Sequence, residues 1–131
     1  MRFYPHLFYL KKLFNLNPPI NPDKKIILIE SIKSSNKYKY HKLKLVFMFS
    51  SMKHYKKYLE DNGYDVIYVK QSELSILDNL KNIIEENKID ELTYMQPVDL
   101  PARNSLASLD VKQNILPNQL HITSDEDFSN W

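Results

Sequence analysis

The fold is decided by residues 40–70, which read YHKLKLVFMFSSMKHYKKYLEDNGYDVIYVK. The first two thirds of this stretch carry an apolar face at helical spacing, made of Leu45, Val46, Met48, Phe49, Met52 and Leu59. Gly63 suits the position just after a helix, because glycine adopts the left-handed conformation without a steric cost. Residues 64–70 then alternate and are rich in Val, Ile and Tyr, which predicts a strand. The stretch therefore predicts a buried helix that leads into a parallel strand.

The flanking sequence extends this pattern on both sides. Residues 26–29 form a continuous run of Ile and Leu that is typical of a parallel strand covered on both faces, and Glu30 ends it. A second helix is predicted from residues 72–73 onward, with apolar positions at Leu74, Leu77, Leu80 and Ile84. Residues 89–95 predict the next strand, which Pro97 ends.

The remaining segments are read from their turn residues and periodicity. They are, in chain order, an edge strand or irregular lead at 2–9, a proline-rich loop at 17–23, a polar loop at 31–38, a helix at 100–115, a last strand at 119–122 and an exposed acidic tail at 124–131. Strands that alternate with helices imply right-handed crossovers and a parallel sheet. We expect residues 1–131 to form one α/β domain, Rossmann-like and three-layered, with a mostly parallel sheet of about five strands.

Composition excludes several classes of function. The chain has no Cys, so it holds no disulfide, thiolate zinc site, iron–sulfur cluster or Cys nucleophile of its own. A single Gly excludes glycine-rich phosphate loops. The net charge of +2 is milder than that of dedicated DNA-binding proteins, so direct DNA binding is not expected. No apolar run reaches the roughly 18 residues of a membrane span, and we expect a soluble intracellular protein, its compartment left open.

The carboxyl ends of the predicted strands are where a bound small molecule is expected, since ligands of open parallel sheets lie there. The alternative is that these residues simply form a polar loop edge. His41 lies close to Glu30 in such a fold and has two interpretations, a ligand-orienting residue or a structural residue at the start of a helix. His6 and His121 lack the spacing of metal ligands, and no metal site is predicted. Ser50 and Ser51 lack the turn that a hydrolase nucleophile requires, so no catalytic residue is assigned.

Three segments, residues 27–30 (ILIE), 41–55 (HKLKLVFMFSSMKHY) and 63–68 (GYDVIY), resemble the deoxyribodipyrimidine photolyase-related family. In that family a strand ending in Glu is followed by an H-K-x-K-L helix, which carries a Ser/Ala-Met-Arg/Lys-x-aromatic step, and then by a G-x-x-V-x-Y strand. Residues 89–92 and the Pro-Val-Asp turn at 97–99 resemble the family's next strand and turn. Residues 4–8 (YPHLF) are a poorer match to its opening, which normally carries Asn/Asp-Gln.

The resemblance implies an N-terminal α/β domain of the photolyase and cryptochrome type, which in some members holds a lumazine antenna chromophore. In the family a longer helical region follows and carries FAD, an iron–sulfur cluster and the DNA lesion site. The resemblance implies that FAD and the iron–sulfur cluster are not expected in this chain, and that repair activity is not expected from it alone.

The resemblance also suggests where a chromophore would lie. The family's pocket corresponds here to His6, Ser34 and Met48, and Glu30 and His41 complete the candidate set. Ser34 stands where the family has an acid, and His6 stands where it has an acid or amide. Both departures remove polar anchors.

Three functional hypotheses follow. The favoured one is a truncated or split photolyase-related N-terminal domain that docks to a separately encoded, flavin-binding helical chain. The alternative is a small-molecule binding module for an antenna chromophore or a nucleotide. The third is a small independent enzyme, for which the residues indicate no named reaction.

Overall fold

The structure of the protein is a computed structural model, and it describes residues 2–3, 25–36, 39–117 and 125–131. The strands are β1 (Arg2–Phe3), β2 (Ile26–Ser31), β3 (Val66–Ser72), β4 (Glu91–Met95) and β5 (Lys112–Leu116). The helices are α1 (Ile32–Ser35), α2 (Lys42–Asp61), α3 (Ile76–Asn87), α4 (Leu100–Ala107) and α5 (Asp125–Ser129). Strands alternate with helices, so the predicted α/β class is confirmed.

The strands pair in parallel. β2 pairs with β3 from Ile26 opposite Val66, and β4 pairs with β5 from Glu91 opposite Lys112. The two residues of β1 pair in parallel with the start of β2 and with the middle of β4. An edge strand, one of the two interpretations of residues 2–9, would pair on one side only.

Helices pack on both faces of β2. Ile27 and Ile29 point to one face and join a cluster with Leu80 and Ile83 of α3. Ile26 and Leu28 point to the other face, where residues of α2 cover them. Successive side chains of a strand alternate between faces, so a run of apolar residues is required when both faces are covered. This is the pattern that residues 26–29 predicted.

Helix α2 ends as the sequence predicts but begins more exposed than expected. Gly63 adopts a φ of 83° directly after the C-cap Asn62, which confirms its predicted role. Val46, however, belongs to no buried face, because 53% of its surface is exposed. A helix of 20 residues is about 30 Å long, whereas the six residues of β2 span about 20 Å, so the first turns of α2 have less sheet to cover.

The largest error of the sequence prediction lies near the C-terminus. The helix predicted over residues 100–115 ends at Ala107, and strand β5 follows from Lys112. The side chain of Gln113 explains the strand, because its amide donates to the carbonyls of Leu106 and Leu109 and so holds β5 against the end of α4. The strand predicted at residues 119–122 lies outside the described residues.

Smaller differences concern the connections. Residues 31–38 were expected to be a loop, but Ile32–Ser35 forms one helical turn. β3 continues to Ser72, so α3 begins later than predicted, at Ile76, where Ser75 acts as the N-cap. Residues 126–131 are exposed, as predicted for the tail, and include part of α5. None of the helices in the described part of the chain is long and apolar enough to cross a membrane.

Candidate functional site

Glu30 is the most unusual residue of the described chain, because its carboxyl group is fully buried. It lies near the end of β2 on the same face as Ile26 and Leu28, beneath α2. A buried carboxylate is costly unless partners compensate for its lost hydration. Its surroundings therefore decide whether it stabilises the fold or serves a ligand.

Three groups surround this carboxylate. The hydroxyl group of Tyr68 donates a hydrogen bond to Oε1, and the backbone N–H of Gln71 donates to Oε2 at 3.3 Å. The Nζ atom of Lys53, on α2, lies 3.9 Å from Oε1. Both oxygens are thus contacted, and the carboxylate joins β2, β3 and the covering helix.

The backbone of β3 adapts to this arrangement. Gln71 has a φ of 49°, in the left-handed region that costs an ordinary residue about 1–2 kcal/mol. The register between β2 and β3 shifts between Ile29 and Ser31, directly around Glu30. The irregular backbone thus coincides with the point where an N–H group is directed to a side chain.

Tyr68 remains a hydrogen-bond donor over a wide pH range. Burial raises the pKa of its phenol strongly, and the hydrogen bond and the negative charge of Glu30 raise it further. The neutral phenol is therefore the form that faces the carboxylate at neutral pH. The ammonium group of Lys56 lies 5.9 Å from the centre of the Tyr68 ring.

Three hydroxyl groups near the carboxyl ends of β2 and β3 contact α3 and the loop before it. Ser31 donates to the carbonyl of Leu74 at 2.7 Å, and the hydroxyl of Ser34 accepts from the backbone N–H of Ile76 at 3.3 Å. Ser72 donates to the side chain of the buried Asn79 at 2.8 Å. These polar groups at the strand ends thus have hydrogen-bond partners in neighbouring elements, which indicates a structural role.

The structure brings together only part of the predicted chromophore pocket. Glu30 lies on the face of β2 that α2 covers, and the half-buried Met48 of α2 packs against the apolar cluster on that face, whereas the hydroxyl of Ser34 is directed to the start of α3. His41 is exposed and acts as the N-cap of α2, with Nδ1 accepting from the N–H of Leu43 at 3.2 Å. His6 lies outside the described residues.

Comparison with known proteins decides the family. A sequence model described as deoxyribodipyrimidine photo-lyase-related protein matches residues 7–131, nearly the whole chain. The chain belongs to the deoxyribodipyrimidine photo-lyase-related family. The family predicted from residues 27–30, 41–55 and 63–68 is thereby confirmed. A search of curated proteins gave no match.

Sequence reasoning missed two residues of this photolyase-related domain. Neither Tyr68 nor Lys53 was singled out, although both contact Glu30. The signal for Tyr68 was present in the alternation of residues 64–70, which places it on the same face of β3 as Val66. Finding Lys53 requires the rotation of α2 against the sheet, which the sequence pattern does not give.

An apolar surface lies on the exposed side of α2. Leu43, Val46 and Phe47 are 71%, 53% and 54% exposed, and their spacing of three and four residues places them side by side. We call these three residues the outer stripe. Farther along the same helix the exposed positions are polar, as at Ser50, so the stripe is confined to the first two turns.

The photolyase-related domain shows no cluster of metal ligands in its described residues. No group of three or more His, Asp or Glu side chains in residues 25–36, 39–117 and 125–131 is placed to hold a metal ion. The site therefore consists of two features, the buried Glu30 with its partners and the outer stripe of α2.

Proposed function

We propose that this chain is one α/β domain spanning residues 1–131 that acts by docking to a flavin-binding helical partner of the photolyase type, supplied by a separate chain. It contributes a surface rather than reacting groups, and has no repair activity alone, since the flavin carries the photochemistry in such systems. The observation that carries the proposal is the outer stripe. Contiguous apolar side chains on a surface mark sites of association.

The size of the stripe sets what it contributes. Burying a Leu, Val or Phe side chain fully is worth about 1.5–3 kcal/mol, and these three are already partly covered. The stripe alone thus supports only weak binding, in the millimolar range. We therefore expect it to be the centre of a larger interface, in which the neighbouring polar residues form the rim.

A capture experiment tests the docking proposal. The bait is the helical region of a photolyase-related protein with FAD bound, and flavin fluorescence reports capture by the tagged chain. We expect capture by the natural sequence and at least tenfold weaker capture by Leu43→Ser/Phe47→Ser. Leu74→Ser is the matched control, because Leu74 is exposed but lies between β3 and α3. Equal capture by all three proteins would contradict the role of the stripe.

We also propose that the two strand pairs belong to one sheet of five strands, with β1 between β2 and β4. The pairing of Arg2 with both Ile26 and Thr93 supports this order. Deleting residues 1–3 is then expected to lower the Tm of the chain by several degrees, because the central link between the pairs is lost. An unchanged Tm would contradict a continuous sheet.

The second candidate function is binding of a flat antenna chromophore of the lumazine type. The observation that favours it is the buried carboxylate of Glu30 near the carboxyl end of a parallel strand, the place where ligands of such sheets bind, on the same face as Met48. In this proposal His6, Ser34 and His41 complete the surroundings of the chromophore.

An absorption titration tests this second candidate. The purified chain is incubated with lumazine, separated from free ligand, and its spectrum recorded above the aromatic region. Retention of the lumazine band, and its loss in Met48→Lys, would support the pocket. A spectrum with no band beyond the aromatic region after incubation would exclude it. The Leu43→Ser/Phe47→Ser variant is the control, because the outer stripe lies away from the pocket in this proposal.

A further inference from the structure

The charges of the chain are separated far more than its net charge of +2 indicates. Residues 31–59 contain eight lysines and no acidic residue. Residues 60–131 contain fourteen acidic and five basic residues, a net charge of −9. Part of this separation is kept in the fold, because α2, with five of these lysines, covers one face of β2, and α3, with Asp78, Glu85 and Glu86, covers the other.

The basic segment surrounds the outer stripe. Lys39, Lys42 and Lys44 are exposed and lie just before and within the first turn of α2. The ammonium group of Lys44 sits 4.3 Å from the centre of the Tyr40 ring, which holds a positive charge at the start of α2, the end of the helix that carries the outer stripe. A partner for this surface therefore needs apolar groups next to carboxylates.

The last residues of the chain have this chemistry. Residues 125–131 read DEDFSNW and carry three acidic residues and two aromatic ones. Phe128, in α5, is 74% exposed, and Trp131, two residues after the end of α5, is fully exposed. Their spacing of three residues, with the N–H of Trp131 donating to the carbonyl of Phe128, brings the two aromatic residues close together.

We propose that residues 125–131 of one copy of this chain bind the outer stripe of a second copy. Phe128 and Trp131 cover the stripe, and Glu126 and Asp127 approach the lysines that lie near it. The inference goes beyond the proposed function, because it requires no flavin-binding partner.

Both surfaces are exposed in a single chain, so both are available for binding between copies. If the segment covered its own stripe, Trp131 and Leu43 would be buried, but both are exposed. Two copies that exchange their last residues cover two stripes at once and form a closed, two-fold symmetric dimer. Reciprocal contacts of this kind do not lead to open-ended polymers.

The chain offers a direct reporter, because Trp131 is its only tryptophan. We expect its fluorescence to shift to shorter wavelength, and acrylamide quenching to fall at least twofold, as the concentration rises through the micromolar range. Sedimentation of the same samples should show conversion from monomer to dimer. Raising the salt concentration tenfold should weaken dimerisation several-fold, since opposite charges contribute to the contact.

Two variants locate the contact. Phe47→Ser removes part of the apolar surface, and Lys42→Glu/Lys44→Glu reverses the charge beside it, so each variant should weaken dimerisation at least tenfold. Their matched controls are Leu74→Ser and Lys81→Glu/Lys112→Glu, which change exposed residues outside the stripe. These controls should leave dimerisation unchanged. All substituted residues are exposed, and circular dichroism verifies that each variant folds.

Three outcomes would overturn the inference. The first is a monomer with exposed Trp131 at every concentration. The second is a shielded Trp131 in a monomer, which would place the segment on its own chain. The third is a dimer that both Phe47→Ser and Trp131→Ala leave intact, which would place the contact elsewhere. The first and third outcomes leave the outer stripe open to the flavin-binding partner, and the capture experiment measures that docking separately, so failure of this inference can be told apart from failure of the proposed function.

Discussion

The two halves of this photolyase-related domain each contain a tyrosine that donates to a side chain on the neighbouring strand. In the first half Tyr68 of β3 donates to Glu30 of β2. In the second half Tyr94 of β4 donates to the side-chain oxygen of Gln113 on β5 at 2.6 Å. The same arrangement of a tyrosine donor and a side-chain acceptor on adjacent strands thus occurs twice, once with a charged acceptor and once with a neutral one.

The difference between the acceptors determines what each pair holds together. A carboxylate only accepts, so Glu30 gathers donors from Gln71 of β3 and an ammonium group from Lys53 of α2. An amide also donates, so Gln113 bonds onward to two carbonyls at the end of α4. The charged pair fastens the long helix, and the neutral pair fastens the last described strand.

The electrostatics of the two tyrosines differ accordingly. Burial alone raises the pKa of Tyr94, whereas burial, the hydrogen bond and the charge of Glu30 all raise the pKa of Tyr68. The first pair should therefore respond to mutation and pH more strongly than the second. Four experiments test this comparison.

Tyr68→Phe should have the largest effect. It leaves a fully buried carboxylate without its hydroxyl donor, which is expected to lower the free energy of unfolding by about 3 kcal/mol. Urea denaturation followed by circular dichroism measures the change. A decrease in the free energy of unfolding of less than about 1 kcal/mol would show that Lys53 and Gln71 are sufficient to stabilise the buried carboxylate of Glu30.

Removing the Glu30 carboxylate together with the Tyr68 hydroxyl should recover much of the stability that Tyr68→Phe loses. In Glu30→Leu/Tyr68→Phe no buried charge remains, and apolar replacements of buried charged groups are often neutral or stabilising. We expect the double variant to be about 2 kcal/mol more stable than Tyr68→Phe in the same denaturation assay. If the double variant is less stable than the single one, Glu30 contributes through its charge in its own right.

Alkaline pH should destabilise the natural chain more than Tyr68→Phe. Below the ordinary pKa of 10.0 the phenol is protonated in both states, so its contribution is complete. Above that pH the unfolded state releases the proton and the folded state retains it, so stability falls as pH rises. One such proton sets a limit of about 1.4 kcal/mol per pH unit, which solvent screening reduces at this half-buried site. The stability difference between the two proteins at pH 9 and pH 11 measures it.

Tyr94→Phe should have the smallest effect, about 1 kcal/mol, because a neutral amide acceptor loses less than a carboxylate when its donor is removed. The variant also serves as the control for Tyr68→Phe, since both remove one hydroxyl from a strand tyrosine. Equal losses in the two variants would show that the charge of Glu30 makes no difference.

The comparison also explains which parts of the fold the sequence predicts. The first half was predicted nearly element by element, because residues 26–29 are apolar throughout and Gly63 marks a helix end. Strand β5 was missed because KQNIL carries three polar residues, one of which, Gln113, faces inward. A partly buried amide that bonds to backbone carbonyls leaves no apolar periodicity to detect.

The site divides in the same way. Glu30 was expected in the site because it ends an apolar strand, but its partners depend on strand register and helix rotation, which are set by packing. Of the outer stripe, only Val46 was assigned to the apolar face of the helix, and that assignment was wrong, because 53% of its surface is exposed. Leu45, Val46 and Met48 share one apolar pattern, yet only tertiary contacts decide which of them is covered.

Among the described residues, the lysines of α2 and the acidic residues of α3 lie on opposite faces of β2, so we expect the molecule to have an electric dipole despite a net charge of only +2. At neutral pH such a molecule is expected to bind both cation- and anion-exchange resins, through opposite sides. It should also turn its lysine-bearing helix toward any anionic surface before contact, so that the outer stripe arrives first. We therefore expect the lysines of residues 31–59 to bias the orientation of the molecule before any short-range contact forms.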